Sequence, residues 1–198
     1  GSGPTFSECF QVFCYKPSPL LVSLYPISTG LQLVDYHISD PYLDPFEQPA
    51  LHVEKVIRLP HSIFFFPPLK EIPLTSVLPF TSKNGMITFA SFNFTGKINL
   101  KVMMLWAHIL QQIPNSRLVL KSHEFRWEYV CQHFQRSFQQ LGIEAHQLEL
   151  IPHMRSFTDH MELYNQIDIA LDPFPYGGHT TTLEALWMGV PVITLQTH

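Results

Sequence analysis

The chain has 198 residues, 45% hydrophobic and 14% charged, with a net charge of −4 when its 11 histidines are counted neutral. That balance belongs to a globular protein able to bury a core, and the acidic total offers nothing to a nucleic-acid backbone or an anionic membrane surface. No apolar run reaches membrane-spanning length, and the first 24 residues lack the basic start and long apolar centre of a signal peptide.

Cys9, Cys14 and Cys131 form an odd set without metal-ligand spacing, which points to a reduced, intracellular setting. The histidines show neither HxxxH nor Cys-His spacing, so no metal is expected. The chain opens on Gly1-Ser2-Gly3 and stops just after an apolar strand, and so reads as a segment of something longer.

Residues 1–20 carry no usable periodicity, and Pro17 and Pro19 discourage regular structure. Short strands are expected at 20–25 (LLVSLY) and 33–38 (LVDYHI), followed by turns at Asp40-Pro41 and Asp44-Pro45. The proline-rich stretch on to Phe80 reads as an extended connector wrapped on a folded surface.

From Asn84 strands and helices alternate. A strand at 86–92 precedes a helix capped by Asn99, with Met103, Trp106, Leu110 and Ile113 on one face. A strand at 117–121 leads to a helix with a stripe of Trp127, Val130, Phe134, Phe138 and Leu141, stopped by Gly142. A strand at 147–151, a helix at 159–165 and a strand at 167–171 follow. This alternation predicts a parallel sheet with right-handed crossovers. Its ligands bind beyond the carboxyl ends of the strands, here the loops after Phe92, Ile151 and Leu171.

The densest signal is 172–195, DPFPYGGHTTTLEALWMGVPVITL. It reads as a loop, a helix at 182–188 with Leu183, Leu186 and Trp187 on one side, and a strand at 190–195. Gly177 and Gly178 let the backbone turn and approach a ligand closely. A helix opening after His179, Thr180 and Thr181 presents unpaired N–H groups to an anion such as phosphate, and Glu184 sits where a carboxylate can take a ribose. Taken alone, the same residues also suit a plain helix start, with Thr180 or Thr181 as N-cap and Glu184 complementing the dipole. Asn93, Lys97, Arg155 and His160 lie on neighbouring loops of the same edge, and together with the glycine loop they suit a nucleoside diphosphate.

Several strings resemble one family: ITFASFNFTGKIN, LWAHILQQIPNSRLVLKS, the His within FTDHMELY, and DIALDPFPYGGHTTTLEALWMGVPVITL. They are similar to the catalytic domain of the family 41 glycosyltransferases, the O-linked N-acetylglucosamine transferases and their SPINDLY-type relatives. YPISTG, VDYHISDPYLDP and RLP match more loosely upstream, so the resemblance covers about residues 24–195. It implies an α/β, Rossmann-like parallel sheet, the C-terminal half of a GT-B glycosyltransferase preceded by the tail of the N-terminal half. The implied layout is an unassigned segment at 1–20, the end of the N-terminal half plus connector at 21–80, and the nucleotide-sugar-binding domain at 81–198.

The implied activity is inverting, metal-independent transfer from UDP-N-acetylglucosamine to Ser or Thr of a protein in the cytoplasm, with the nucleus as a second compartment. It needs no cofactor beyond the donor, no nucleic acid and no membrane. GDP-fucose is the alternative donor, as in the SPINDLY branch, and a truncated copy that only binds nucleotide or protein is the non-catalytic alternative. Under the resemblance Lys97 neutralises the leaving diphosphate, with Asn93 beside it. Gly178, His179, Thr180 and Thr181 hold the pyrophosphate, Glu184 the ribose, and His160 and Arg155 the base side. Ile27 stands where the family has Gly, Phe94 where it has a polar residue, and no 34-residue repeat of the family's TPR type is present.

Overall fold

The computed structural model describes residues 12–24, 28–47, 52–64, 85–154 and 156–195. The chain divides into two compact units, Gly1–Phe65 and Phe66–His198.

The first unit carries three parallel strands, β1 (Val22–Ser23), β2 (Tyr36–Ser39) and β3 (Lys55–Arg58), in the order β1-β2-β3. β1 falls inside the first expected strand, and β2 overlaps the second and runs one residue beyond it. β3 corrects the reading of this stretch as connector: Lys-Val-Ile-Arg is too short, and too charged at its ends, to register as an apolar run. Residues 48–51 and 65–80 of the connector, and Tyr25, Pro26 and Ile27, lie outside the described residues.

Buried carboxylates tie the loops of this unit down. Asp40 accepts backbone N–H bonds from Tyr42, Leu43 and Ile63 at 2.8–2.9 Å. Glu54, 5% exposed, accepts from the Ser28 hydroxyl at 2.6 Å and from both the N–H and the hydroxyl of Thr29. Burial alone would raise the Glu54 pKa, but these hydrogen bonds outweigh it and bring it from 4.5 down to about 2. Because the folded value lies below the unfolded one, the stabilisation is complete above about pH 4.5 and is lost as pH falls through about 2. It amounts to roughly 3 kcal/mol. Urea unfolding across that interval should show the loss, and Glu54→Gln should flatten the pH dependence while lowering stability at neutral pH. A Glu54→Gln chain with the parental slope would show that another group titrates.

The second unit is a five-stranded parallel sheet, β4 (Ile87–Ser91), β5 (Ser116–Lys121), β6 (Leu148–Ile151), β7 (Ile169–Leu171) and β8 (Val192–Ile193), ordered β6-β5-β4-β7-β8. Helices α1 (Leu100–Gln112) and α2 (Glu128–Gln140) cover one face, and α3 (Phe157–Tyr164) and α4 (Thr180–Trp187) the other. Strand alternation sorts the core between the faces: Phe89, Leu118 and Leu120 pack with Trp106 and Phe138, while Ala90 and Val119 pack with Met161 and Ala185. This buried, two-faced sheet makes β4 and β5 nearly continuous apolar runs. All five strands are parallel, and the order in which they are added reverses at β4, which leaves a crevice at its carboxyl end.

The helix ends follow their sequence signals. Asn99 Oδ1 accepts from Val102 N–H at 3.1 Å and caps α1. Gly142 takes φ +80° after α2, a conformation that suits glycine. Two helical stripes need correction. Trp127 precedes α2, is 48% exposed, and lies beside the Arg126 guanidinium rather than in the core. In α4 the buried residues are Glu184 and Ala185, whereas Leu186 and Trp187 are exposed. Small Ala185 allows close approach to the sheet, and that face wins over the bulkier one. No helix among the described residues is long and apolar enough to cross a membrane.

Candidate functional site

Four strand ends meet at the carboxyl edge of the second sheet. After β4 the chain runs through Asn93, Phe94 and a single 3₁₀ turn, Thr95–Lys97, into the Asn99 cap. That short path holds Lys97 in place. Its ammonium donates to the Gly177 carbonyl at 2.8 Å and to Asn93 Oδ1 at 3.3 Å, and lies 4.6 Å from the centre of the Tyr176 ring. Burial lowers the Lys97 pKa below its ordinary 10.5, and the charge of Asp172 opposes that shift.

The loop after β7 is built around Asp172, which is buried and accepts from Gly178 N–H at 2.7 Å. The glycines are required, though not for an unusual φ. A Cβ on Gly177 would stand 2.8 Å from Asp172 Oδ2; one on Gly178 would stand 2.6–2.8 Å from the oxygens of Thr182, Asp172 and Thr181. Asn99 Nδ2 donates to the Phe174 carbonyl at 2.9 Å and ties this loop to the first turn of α1.

α4 begins at Thr180, two residues earlier than expected, and its N-cap is His179, whose side chain makes no capping bond. Neither Thr180 nor Thr181 is therefore the cap. Thr181 instead donates to Asn93 Oδ1 at 3.4 Å, and its carbonyl accepts from the Tyr164 hydroxyl at 3.2 Å. No side chain caps this turn, whose N–H groups form the positive end of the helix dipole. Burial, with Lys97 close by, lowers the His179 pKa and favours the neutral ring.

The other side of Thr181 opens on a cavity of about 400 Å³ lined by Phe92, Lys121, Phe157, His160, Thr180 and Glu184, among others. A line of hydrogen bonds crosses it. Lys121 Nζ meets His160 Nδ1 at 2.7 Å, and His160 Nε2 meets Glu184 Oε2 at 2.9 Å. An ammonium has no acceptor, so Lys121 donates and the imidazole carries its proton on Nε2, directed at Glu184. The Tyr164 hydroxyl reaches the same oxygen at 3.4 Å. Burial and the Glu184 charge raise its pKa well above the ordinary value, so it stays a neutral donor. The His160 and Tyr164 contacts both fall on Oε2, and no hydrogen bond reaches Glu184 Oε1 among the described residues.

A larger cavity of about 660 Å³ lies by Phe138, Gly142 and Leu148, at the start of β6. That is the amino end of the sheet, and it gathers no convergent charged groups.

Residues 67–198 match the profile described as Glycosyl transferase family 41. The chain belongs to that family. A probable UDP-N-acetylglucosamine–peptide N-acetylglucosaminyltransferase SPINDLY from Eustoma exaltatum subsp. russellianum is 42% identical over 98% of this chain and 21% of its own length. The SEC protein of Arabidopsis thaliana, with the same probable activity in its name, is 28% identical over 93% of this chain and 19% of its own. Among solved structures, an O-GlcNAc transferase mutant from Thermobaculum terrenum superposes with a TM-score of 0.82 and 34% identity, over 92% of this chain and 34% of that one. The chain thus spans about a fifth of the length of the curated relatives it matches. The α/β parallel-sheet fold of a GT-B glycosyltransferase half agrees with that likeness.

Of the family 41 residues singled out from sequence, Asn93, Lys97, Gly178 and Thr181 meet in one cluster, with His179 at its rim. His160, Glu184 and Thr180 line the adjoining cavity. Arg155 lies outside the described residues. Sequence reasoning missed Asp172, Asn99 and Lys121. Lys121 carried a usable signal, since it is the last residue of a strand whose carboxyl end lies on the binding edge. Asp172 and Asn99 read as a turn residue and a cap, and their second roles depend on contacts across 6 and 75 residues.

Proposed function

We propose that this chain is the nucleotide-sugar-binding segment of a protein O-glycosyltransferase, with UDP-N-acetylglucosamine as donor and Ser or Thr of a cytoplasmic or nuclear protein as acceptor. The observation that carries the reading is the pairing of two unlike compartments about Thr181. One holds a half-buried ammonium beside a helix start without a side-chain cap, and the other a carboxylate aligned by an imidazole. They match the two ends of a nucleoside diphosphate.

In this reading the diphosphate lies against Lys97, Gly178 and the first turn of α4. The ribose hydroxyls go to Glu184 Oε1, and the base lies toward His160. The acceptor hydroxyl attacks the anomeric carbon from the face opposite the diphosphate as the C–O bond to phosphate breaks; its proton passes to solvent, the bonding pair leaves with the diphosphate, and configuration inverts. Lys97 and the helix N–H groups stabilise the charge that develops on the departing oxygen. This assigns the chain's own residues a complete leaving-group site without a metal ligand.

GDP-fucose is the second reading, and it rests on the resemblance to the SPINDLY branch alone. Calorimetric titration of the folded chain with UDP and with GDP separates them. Saturable UDP binding, lost in Glu184→Ala, is expected. A GDP preference moves the donor to the fucose branch. Binding of neither nucleotide by a cooperatively folded chain would overturn the donor-site reading.

A further inference from the structure

The first unit holds a polar cluster that the glycosyltransferase reading does not use. His37 on β2, Asp44 in the loop after it and His52 shortly before β3 each place a ligand atom in one space, all within 4.8 Å of one another. His37 is fully buried and neither of its ring nitrogens has a hydrogen-bond partner; His52 Nδ1 is likewise buried and unpartnered. His52 Nε2 meets Asp44 Oδ1 at 2.7 Å. Separations of seven and eight residues belong to no linear metal motif, so only the fold brings the three together.

Buried polar atoms are almost always paired, and three idle imidazole nitrogens beside one carboxylate call for an occupant. We propose that His37, Asp44 and His52 bind a divalent transition-metal ion, Zn²⁺ in the first instance, with a fourth position left to water. Two imidazoles and a carboxylate form a set that suits zinc, whereas Mg²⁺ and Ca²⁺ require oxygen shells.

The geometry permits this with one local movement. Donors around a tetrahedral ion with bonds of about 2.0 Å stand roughly 3.3 Å apart, so the cluster contracts by about 1.5 Å at most. The two rings now stack, 4.4 Å between centroids and 25° between planes. An ion bound by both must lie in both ring planes, so one ring turns out of the stack. His37 is free to be that ring because it has no hydrogen bond to give up. Ser39 Oγ donates to Asp44 Oδ2, the orienting contact that a carboxylate ligand needs from its surroundings, while Oδ1 now meets His52 Nε2 and would exchange that hydrogen bond for the ion. The side chains of His52 and Asp44 retain 8% and 16% exposure, a route for entry. A bound ion would cross-link β2, its following loop and the entry to β3.

Cobalt titration of the purified chain tests the site, because four-coordinate Co²⁺ absorbs visibly and the hydrated ion barely does. One equivalent is expected to saturate the band, and Zn²⁺ to displace it. His37→Phe keeps the ring volume and should remove the band. Asp44→Asn should weaken binding by more than the 10–100-fold that loss of an outer partner costs. His146→Ala, at an exposed position, should change nothing. A folded wild-type chain without the band, or a His37→Phe chain with the wild-type band, overturns the proposal. If circular dichroism shows His37→Phe to be unfolded, Asp44→Asn decides by the same criterion, and undiminished cobalt affinity there overturns it.

Discussion

Lys97→Ala is expected to lower turnover about 10²–10³-fold in a full-length protein carrying this segment, with little change in donor KM. The magnitude is that of removing one positioned donor from a developing anion. An ammonium has three N–H groups. Lys97 commits one to Gly177 and one to Asn93, which leaves a third for the leaving diphosphate. Its lowered pKa means that burial leaves the charge undercompensated, and the compensation arrives as phosphate takes up negative charge in the transition state. The sugar donor lacks that charge and its binding gains little, whereas free UDP carries it, so UDP affinity should fall about 10-fold, or ~1.4 kcal/mol. Lys97→Arg should not rescue turnover, since a planar fork cannot reproduce two contacts from one compact ammonium. A rise in KM at constant turnover would contradict the assigned role.

Gly178→Ala is expected to eliminate measurable UDP binding and to cost about 1–3 kcal/mol of stability, the usual price of an overpacked site. The added methyl carbon meets three oxygens at 2.6–2.8 Å, one from buried Asp172 and two from threonines in the first turn of α4. Relief requires Asp172 to withdraw, which breaks its bond to the Gly178 N–H and swings the loop away from Lys97. Nucleotide titration and thermal unfolding of the same preparation would check both parts. Unchanged UDP affinity in Gly178→Ala would show that the loop adapts and does not contact the diphosphate.

The alternation of strands and helices after Asn84 was legible because each signal there is local. Asn99 announces its cap, Gly142 its stop, and apolar runs in β4 and β5 their double burial. β3 was not, since four residues with charged ends carry too little pattern, and its place comes from pairing with β2. The exposed side of α4 was misjudged for a related reason. Helical spacing identifies a stripe, but the partner sheet determines which stripe is covered, and it accepted Ala185 over Leu186. At the site, residue types known for anion chemistry could be picked out one by one. The Lys121–His160–Glu184 line could not, because it joins the end of a strand to two different helices.

Asn99 makes two bonds with one side chain, to Val102 N–H inside α1 and to the Phe174 carbonyl in the loop that contains the paired glycines. Fraying of the first helical turn therefore releases that loop, and release of the loop frees the cap. Local opening of helix and loop becomes a single event with a single free energy, and their amides should exchange together. A nucleotide that holds the loop closed will then protect a helix turn it never touches.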